Sequence, residues 1–515
     1  MADLILLNAN VITMDPIHPN AQWVAIKNGR ILAVAEDDSF KELRHKHTKL
    51  IHCNGRTVLP GFIDSHLHFH GFSESLVTLN LEPRNHVRSL SDIQDKIGQL
   101  SKELPSGTWI RARGYNEFYL AEKRHPTRWD LDAAAPFHPT RLSHRSGHAH
   151  VLNSLALRLV NISKETADPP ASVIDRHIET GEPTGLLYSM GDYLAKAIPP
   201  LENDQMEHGI RLAGQELISL GITSFCDASS RNDLTRWEMF QTWKERKLLK
   251  SRVTMVLGRD SFSEYRRQNF STQMEANQLR LGGVKIILHE TTGNLSPSQQ
   301  ELNEMVDYIH ECGLQVIIHA VEGKTIEAAC SAIEFALKKA PRSNHRHRIE
   351  HCSVCNPSLA KRLDSLGIIV VTQPSFIYYN GERYLRTVPD SNLKHIYPIA
   401  TLMKNGVRVA GSSDCPIVPA NPLIGIYSAV SRKAENGEFV LPEEGISPLE
   451  ALRMYTDYAA ETTFEERTKG SITPGKLADL VVLNGDPTRV SIDEIKDIKV
   501  DMTIINGEVV WDNMS

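Results

Sequence analysis

From about residue 207 to residue 465, with the opening stretch 58–63 counted in, short apolar strand-forming runs alternate with helical ones, and this alternation constrains the fold more than any single residue does. The strand-like runs are 58–63, 221–225, 252–257, 284–289, 314–319, 347–351, 368–372 and 407–411. Helical texture separates several of them, at 212–220, 237–249, 302–312, 325–339 and 357–366. Strands that alternate with helices build a parallel sheet covered by helices, and about eight such units give a (β/α)₈ barrel. No fixed sequence period underlies the units.

The two ends of the chain differ from this middle and match one another in kind. Runs 4–7, 11–13, 23–26 and 30–34 are strand-like, with the hairpin dipeptide Asn28-Gly29 between the last two. Runs 478–483, 502–505 and 509–511 repeat the texture, with Asn506-Gly507 as their turn. Two small β caps would stand alone poorly, so one β-sandwich built from both termini is the expectation. The domain spans are then 1–59 and 466–515 for the sandwich and 60–465 for the barrel. Between 72 and 206 the alternation lapses into turns such as HRSGHAH and GEPTG. This segment is expected to be an α/β insertion after the first barrel strand. Loops after barrel strands lie on the catalytic face, so such an insertion would roof a site there.

Composition removes several function classes. The chain has 515 residues, 41% of them hydrophobic and 23% charged, as in ordinary soluble globular proteins, and is long enough for more than one domain. A formal net charge of -6 offers no basic field for nucleic acid. No apolar run approaches the roughly 18 residues that a membrane helix needs, and the first residues lack the basic start of a signal peptide. The 7 cysteines show no disulfide-scaffold spacing, which points to a reducing, cytoplasmic setting. Cys352-x-x-Cys355 has the form of a redox or zinc pair but lacks a second pair. A small-molecule substrate is expected; homodimeric assembly is left open.

The chemistry starts in Pro60-Gly61-Phe62-Ile63-Asp64-Ser65-His66-Leu67-His68. In a strand, residues i and i+2 share a face, so His66 and His68 project side by side, as a metal chelate or as a pair of surface or core histidines. Further ligand types end later apolar runs: His319, His351 and Asp414. Catalytic residues of a (β/α)₈ barrel sit at such strand ends. Lys285 lies inside an apolar run, where lysine is uncommon without a role.

PGFIDSHLH, Lys285 in VKIILHE, His319 in QVIIHA, His351 in HRIEHC and Asp414 in GSSDCP, in this order, resemble the amidohydrolase superfamily. Within it the chain looks like the amidohydrolase-3 branch, which includes N-substituted formamide deformylases. PGKLADLVVL near the C-terminus, HRSGHAHVLNSLAL and GEPTGLL extend the match over nearly the whole chain. The resemblance implies a hydrolase that cleaves an amide-like or N-substituted formamide-like C–N bond by attack of a metal-bound hydroxide. It implies one or two divalent ions, zinc first, with iron, manganese or nickel also suited to nitrogen and oxygen donors. Its ligands would be His66, His68, Lys285 as a bridging carbamate, His319, His351 and Asp414. Asp414 would also move a proton from water to the leaving nitrogen.

Some positions depart from that pattern or stay open. His319-x-x-Glu322 and Cys352 after His351 are similar to deaminase branches, where the glutamate moves protons at a single metal. Glu322 is otherwise a first-turn helix acid favoured by the dipole. A mononuclear deaminase is thus the alternative enzyme, and a non-catalytic scaffold the alternative class. Ser189 stands where many relatives carry an acidic residue. His148 is expected to touch substrate from the roof, and His345-Arg346-His347 to be solvated ahead of its strand.

Overall fold

Eight parallel strands are hydrogen-bonded in sequence order: β1 (Phe62–Leu67), β2 (Ile222–Asp227), β3 (Arg252–Gly258), β4 (Leu279–Ile287), β5 (Val316–Ala320), β6 (Arg348–His351), β7 (Ile369–Thr372) and β8 (Val409–Gly411). They belong to a computed structural model that describes residues 1–169, 172–267, 275–291 and 294–514. The expected (β/α)₈ barrel is therefore present. Strands such as β5 and β7 read as near-continuous apolar runs because a parallel sheet is covered on both faces, whereas β6 is Arg-Ile-Glu-His. Helices Gln299–Glu311, Gly323–Lys339 and Pro357–Ser365 follow β4, β5 and β6. Each has a local start signal: a Ser298–Glu301 capping box, Thr325 reaching back to the N–H of Glu322, and an Asn356 cap before Pro357. Ile326, Ala329, Ile333 and Ala336 repeat at helical spacing and bury one face of Gly323–Lys339.

Closure between β1 and β8 is not a strand ladder among the described residues. At the start of β1, the Ile63 N–H donates to the Tyr455 carbonyl at 2.8 Å. The Tyr455 ring fills the space beside Gly411 and Gly425, where a Cβ would come within 2.6 and 1.9 Å of it. At the other end the chain itself closes the gap. The Asp414 N–H donates to the His66 carbonyl at 2.9 Å, and the His68 N–H to the Cys415 carbonyl at 2.8 Å.

The sandwich draws on both ends of the chain. One sheet has the order Arg30–Ala35, Trp23–Lys27, Leu4–Leu7, Lys49–His52. The other runs Glu508–Asp512, Val500–Ile505, Leu480–Leu483, Thr57–Pro60, Asn10–Ile12, Asn20–Ala21. Its antiparallel register sets Val58 opposite Val482 and Pro60 opposite Leu480. Leu6, Val24, Val58, Val482 and Ile504 share one buried core. Full burial of such side chains stabilises by about 1.5–3 kcal/mol each. Both hairpin dipeptides adopt left-handed backbone, φ 50° and 73° at Asn28-Gly29 and 55° and 76° at Asn506-Gly507, as a type I′ turn demands. Thr57–Pro60 passes into β1 through Gly61, where a Cβ would meet the Thr223 side chain at 2.2 Å. A buried bidentate pair, Arg252 to Asp479 at 2.6 and 3.1 Å, ties β3 to this sandwich.

Residues 70–213 form a second compact unit. Its sheet has the order Val173–Arg176, Pro183–Tyr188, Ala149–Leu152, Thr140–His144, Ile110–Tyr115, Leu79–Asn80. Ile93 and Ile97 of helix Leu90–Glu103 and Leu131 of helix Arg128–Ala134 pack with Ile110, Leu142 and Val151 of that sheet.

One expectation is overturned. His345 and His347 are not solvated but 3% and 0% exposed. The Val316 N–H donates to His347 Nδ1 at 2.9 Å, so the other nitrogen carries the proton and donates to His310 Nδ1 at 2.8 Å. His310 Nε2 then donates to the Ala340 carbonyl at 2.7 Å. His345 Nδ1 accepts from the His347 N–H at 2.8 Å, and its Nε2 donates to the Leu366 carbonyl at 2.9 Å. Backbone and imidazole partners replace water here, which lets a polar triplet sit inside.

This relay has no place for a further proton. Burial first, then neighbouring His345 and Arg342, holds His347 well below the ordinary 6.5. An unfolded chain takes up that proton as pH falls through 6.5 and the folded one does not, so the stability His347 contributes is complete above 6.5 and lost below it. The urea midpoint is expected to drop between pH 7.5 and 5.5, with this ring giving up to about 1.4 kcal/mol per pH unit. His347→Gln should flatten the profile, and an equally steep one would remove the ring from the account.

Candidate metal centre

The C-terminal ends of the barrel strands bring the expected residues together. Coordinating atoms of His66, His68 and Asp414 all lie within 4.8 Å of one another. Asp414 Oδ1 is 3.0 Å from His68 Nε2 and 3.4 Å from His66 Nε2. Ring centroids of His66 and His68 are 5.2 Å apart, of His66 and His351 5.2 Å, and of His351 and His319 4.4 Å. Lys285, 2% exposed on β4, acts electrostatically on His66, His319 and His351 alike. Two of these positions have left-handed backbone. Asp414 has φ 59°, and His351 and Cys352 have φ 71° and 49°. In β6, Arg348 and Glu350 share the inward face, so a regular strand would turn His351 away. The positive φ brings its ring beside His319 and His66 instead.

Partners of the other ring nitrogens orient the imidazoles. His66 Nδ1 pairs with Glu350 Oε2. His351 Nδ1 is 2.8 Å from Gln373 Oε1, whose amide nitrogen donates to Ser412 Oγ at 3.0 Å, and Ser412 Oγ donates to the Thr372 carbonyl at 3.0 Å. That chain fixes His351 with its proton on Nδ1. His68 Nδ1 lies 3.0 Å from Ser229 Oγ. Ser229 is set in turn by Asp227, whose carboxylate accepts from the N–H groups of Ser229 and Phe69. Each arrangement leaves Nε2 available for a metal, as supporting partners of ligating histidines do.

Burial, then the charge of Lys285, depresses His66 well below the ordinary imidazole range. Burial, then His351, does the same to His319. Burial opposes ionisation of Asp414, but adjacent His68, His66 and His351 outweigh it and hold the carboxyl below its usual range. Burial lowers Lys285 towards the neutral amine. Lys285 Nζ and Asp414 Oδ1 are buried with no hydrogen-bond partner. Neutral imidazoles, an ionised carboxylate and two unsatisfied polar atoms in one pocket fit a divalent cation.

Glu322 caps helix Gly323–Lys339 and lines a cavity of about 400 Å³ with Lys324, Asn356 and His395. His148 is exposed in the second unit, just before Ala149–Leu152. Cys352 and Cys355 are free and buried. Glu350, Gln373, Ser229 and Asp64 were not singled out from sequence. The available signal was weak: Glu350 is an acid in His347-Arg348-Ile349-Glu350-His351, two residues from Arg348.

The amidohydrolase family model matches residues 49–511. The chain belongs to the amidohydrolase family. This amidohydrolase is 28% identical over 501 residues to the putative amidohydrolase YtcJ of Bacillus subtilis, covering 92% of this chain and 93% of the relative. It is 27% identical to N-substituted formamide deformylase of Arthrobacter pascens, covering 98% of each chain. Among solved structures it resembles an uncharacterized metal-dependent hydrolase of Pyrococcus furiosus at 26% identity and TM-score 0.73, over 94% of this chain and 100% of that one. The amidohydrolase is a metal-dependent hydrolase, and its family acts on small molecules.

Asp64 holds the end of β1 and the segment after β8 together. Its Oδ1 accepts from the N–H groups of His66 and Ser413 at 3.1 and 3.2 Å, and its Oδ2 from Ser413 Oγ at 2.5 Å. Asp64→Ala leaves these buried donors unsatisfied, at about 1–3 kcal/mol each. The expected outcome is a clear fall in the urea midpoint with a matching fall in bound metal. Unchanged metal content at lower stability would separate Asp64 from the centre.

Proposed function

We propose that this amidohydrolase cleaves a C–N bond of an amide-like substrate, N-substituted formamides being the first class to assay. The observation that carries the reading is Lys285: a lysine 2% exposed, without a partner, beside the imidazoles and Asp414. The likeness to N-substituted formamide deformylase over 98% of both chains supports the bond type. We assign His66, His68, Asp414, His319, His351 and a carboxylated Lys285 to a centre of two divalent ions, zinc first. Burial favours the neutral amine that carboxylation requires, and the product turns a repelling cation into an anionic oxygen ligand. When bound, the metal supplies Lewis-acid polarisation of the carbonyl and activation of water.

The residues do the rest. Asp414, kept ionised in a buried pocket, accepts the proton of the attacking water and returns it to the leaving nitrogen. The supporting partners of His66, His68 and His351 keep their rings from rotating as charge develops. His148 of the insertion is our candidate contact to substrate. Asp414→Asn preserves shape and removes the proton acceptor. It should lower kcat by at least about two orders of magnitude in a folded, metal-containing protein; near-normal turnover would unseat this role.

A one-metal deaminase would instead depend on Glu322, and two variants separate the readings. Lys285→Ala is expected to lose metal and activity together, with partial rescue by a short carboxylic acid. Glu322→Gln should have no more than a helix-start effect of about 0.3–1 kcal/mol. Metal analysis and turnover measured side by side decide the matter. A dead Glu322→Gln beside an active, one-metal Lys285→Ala would install the deaminase.

A further inference from the structure

We infer that Glu350 is a positioning residue for the centre: its carboxylate, clamped by Arg348, fixes the His66 ring and strengthens Nε2 as a metal donor. The inference rests on the metal-centre reading above and adds a residue to it. Glu350 and Arg348 are both 0% exposed on β6. Arg348 Nε lies 2.7 Å from Glu350 Oε1, and Arg348 Nη2 donates to the Ser65 carbonyl at 3.2 Å and reaches Cys226 Sγ at 3.4 Å. The guanidinium is thus braced against β1 and β2, and Glu350 Oε2 is held against His66 Nδ1. The other two oriented imidazoles rest on neutral groups, His68 on Ser229 and His351 on Gln373. Only His66, the most enclosed of the three at 1% exposed, is given an anion. An anion on the far N–H raises the basicity of the coordinating nitrogen, and loss of such a partner weakens metal binding about 10- to 100-fold.

Glu350→Gln retains volume and a hydrogen-bond acceptor and removes only the charge. It also leaves Arg348 as an uncompensated buried cation, which can destabilise the protein and repel a metal. Arg348→Met/Glu350→Gln removes both charges and leaves no such cation. Full-chain apoprotein of each is titrated with Zn²⁺ against a chromophoric chelator, and the visible spectrum of the Co²⁺-loaded form reports the ligand field. Both variants are expected to bind Zn²⁺ about 10- to 100-fold more weakly than the parent and to shift the Co²⁺ bands. Ser229→Ala should lose less. Parent-like affinity in Glu350→Gln overturns the inference. So does recovery of affinity in the double variant, which would make the unpaired arginine the cause. If the parent itself binds no Zn²⁺, the metal-centre reading fails first, a result distinct from a metal-binding parent matched by Glu350→Gln.

Discussion

A single buried carboxylate joins the two ends of the barrel. Asp64 lies on β1, and its donors come from β1 and from the segment just after β8. Ser413, which it holds, accepts in turn from the Cys415 N–H at 3.0 Å. Asp414 sits between those two residues in a left-handed conformation that a short polar side chain tolerates only with local support. The bonds that close the barrel are therefore the bonds that aim Asp414 at His66 and His68. Closure and site geometry are one interaction here, since neither strand end is fixed unless the other is.

The barrel interior near the site is charged rather than apolar. Arg348, Glu350, Lys285 and Asp414 are all at most 7% exposed. Groups of this kind are costly to bury and stabilise a fold only when paired in good geometry. Apolar side chains lie there too, Cys226, Val256 and Ile317 forming one cluster on β2, β3 and β5. Apolar burial is also supplied by the outer layer, where helices such as Gly323–Lys339 pack their apolar faces, and by the sandwich core. The division of labour leaves the centre free to be polar.

What the sequence disclosed and what it hid follow one rule. Barrel strands were legible because double-sided burial writes continuous apolar runs, and His66, His68, His319, His351 and Asp414 stood out as polar residues ending them. The hairpins at Asn28-Gly29 and Asn506-Gly507 were legible because left-handed turns restrict residue choice locally. Glu350 was not, because its partner His66 is 284 residues away. Asp64 meets Ser413 across 349 residues and Ser229 meets His68 across 161, so no local pattern marks them. His345 and His347 misled for the same reason: they look solvated until His310, from helix Gln299–Glu311, and the Leu366 carbonyl supply their partners. In the insertion, only the lapse of alternation was readable. Its mixed parallel and antiparallel order depends on pairings such as Val151 with Leu186.

The shared sandwich sheet also bears on how the polypeptide is made. Thr57–Pro60, which leads directly into β1, finds its neighbour in Leu480–Leu483. Those partners emerge from the ribosome more than 400 residues apart. Until the later strand appears, the earlier one presents an unpaired apolar edge, a template for contact with other nascent chains. Translation of the intervening barrel takes on the order of tens of seconds at about 5–20 residues per second. Chaperone cover of the emerging N-terminal strands would thus serve this topology more than one whose strands pair with near neighbours, and slow release late in synthesis would burden it most.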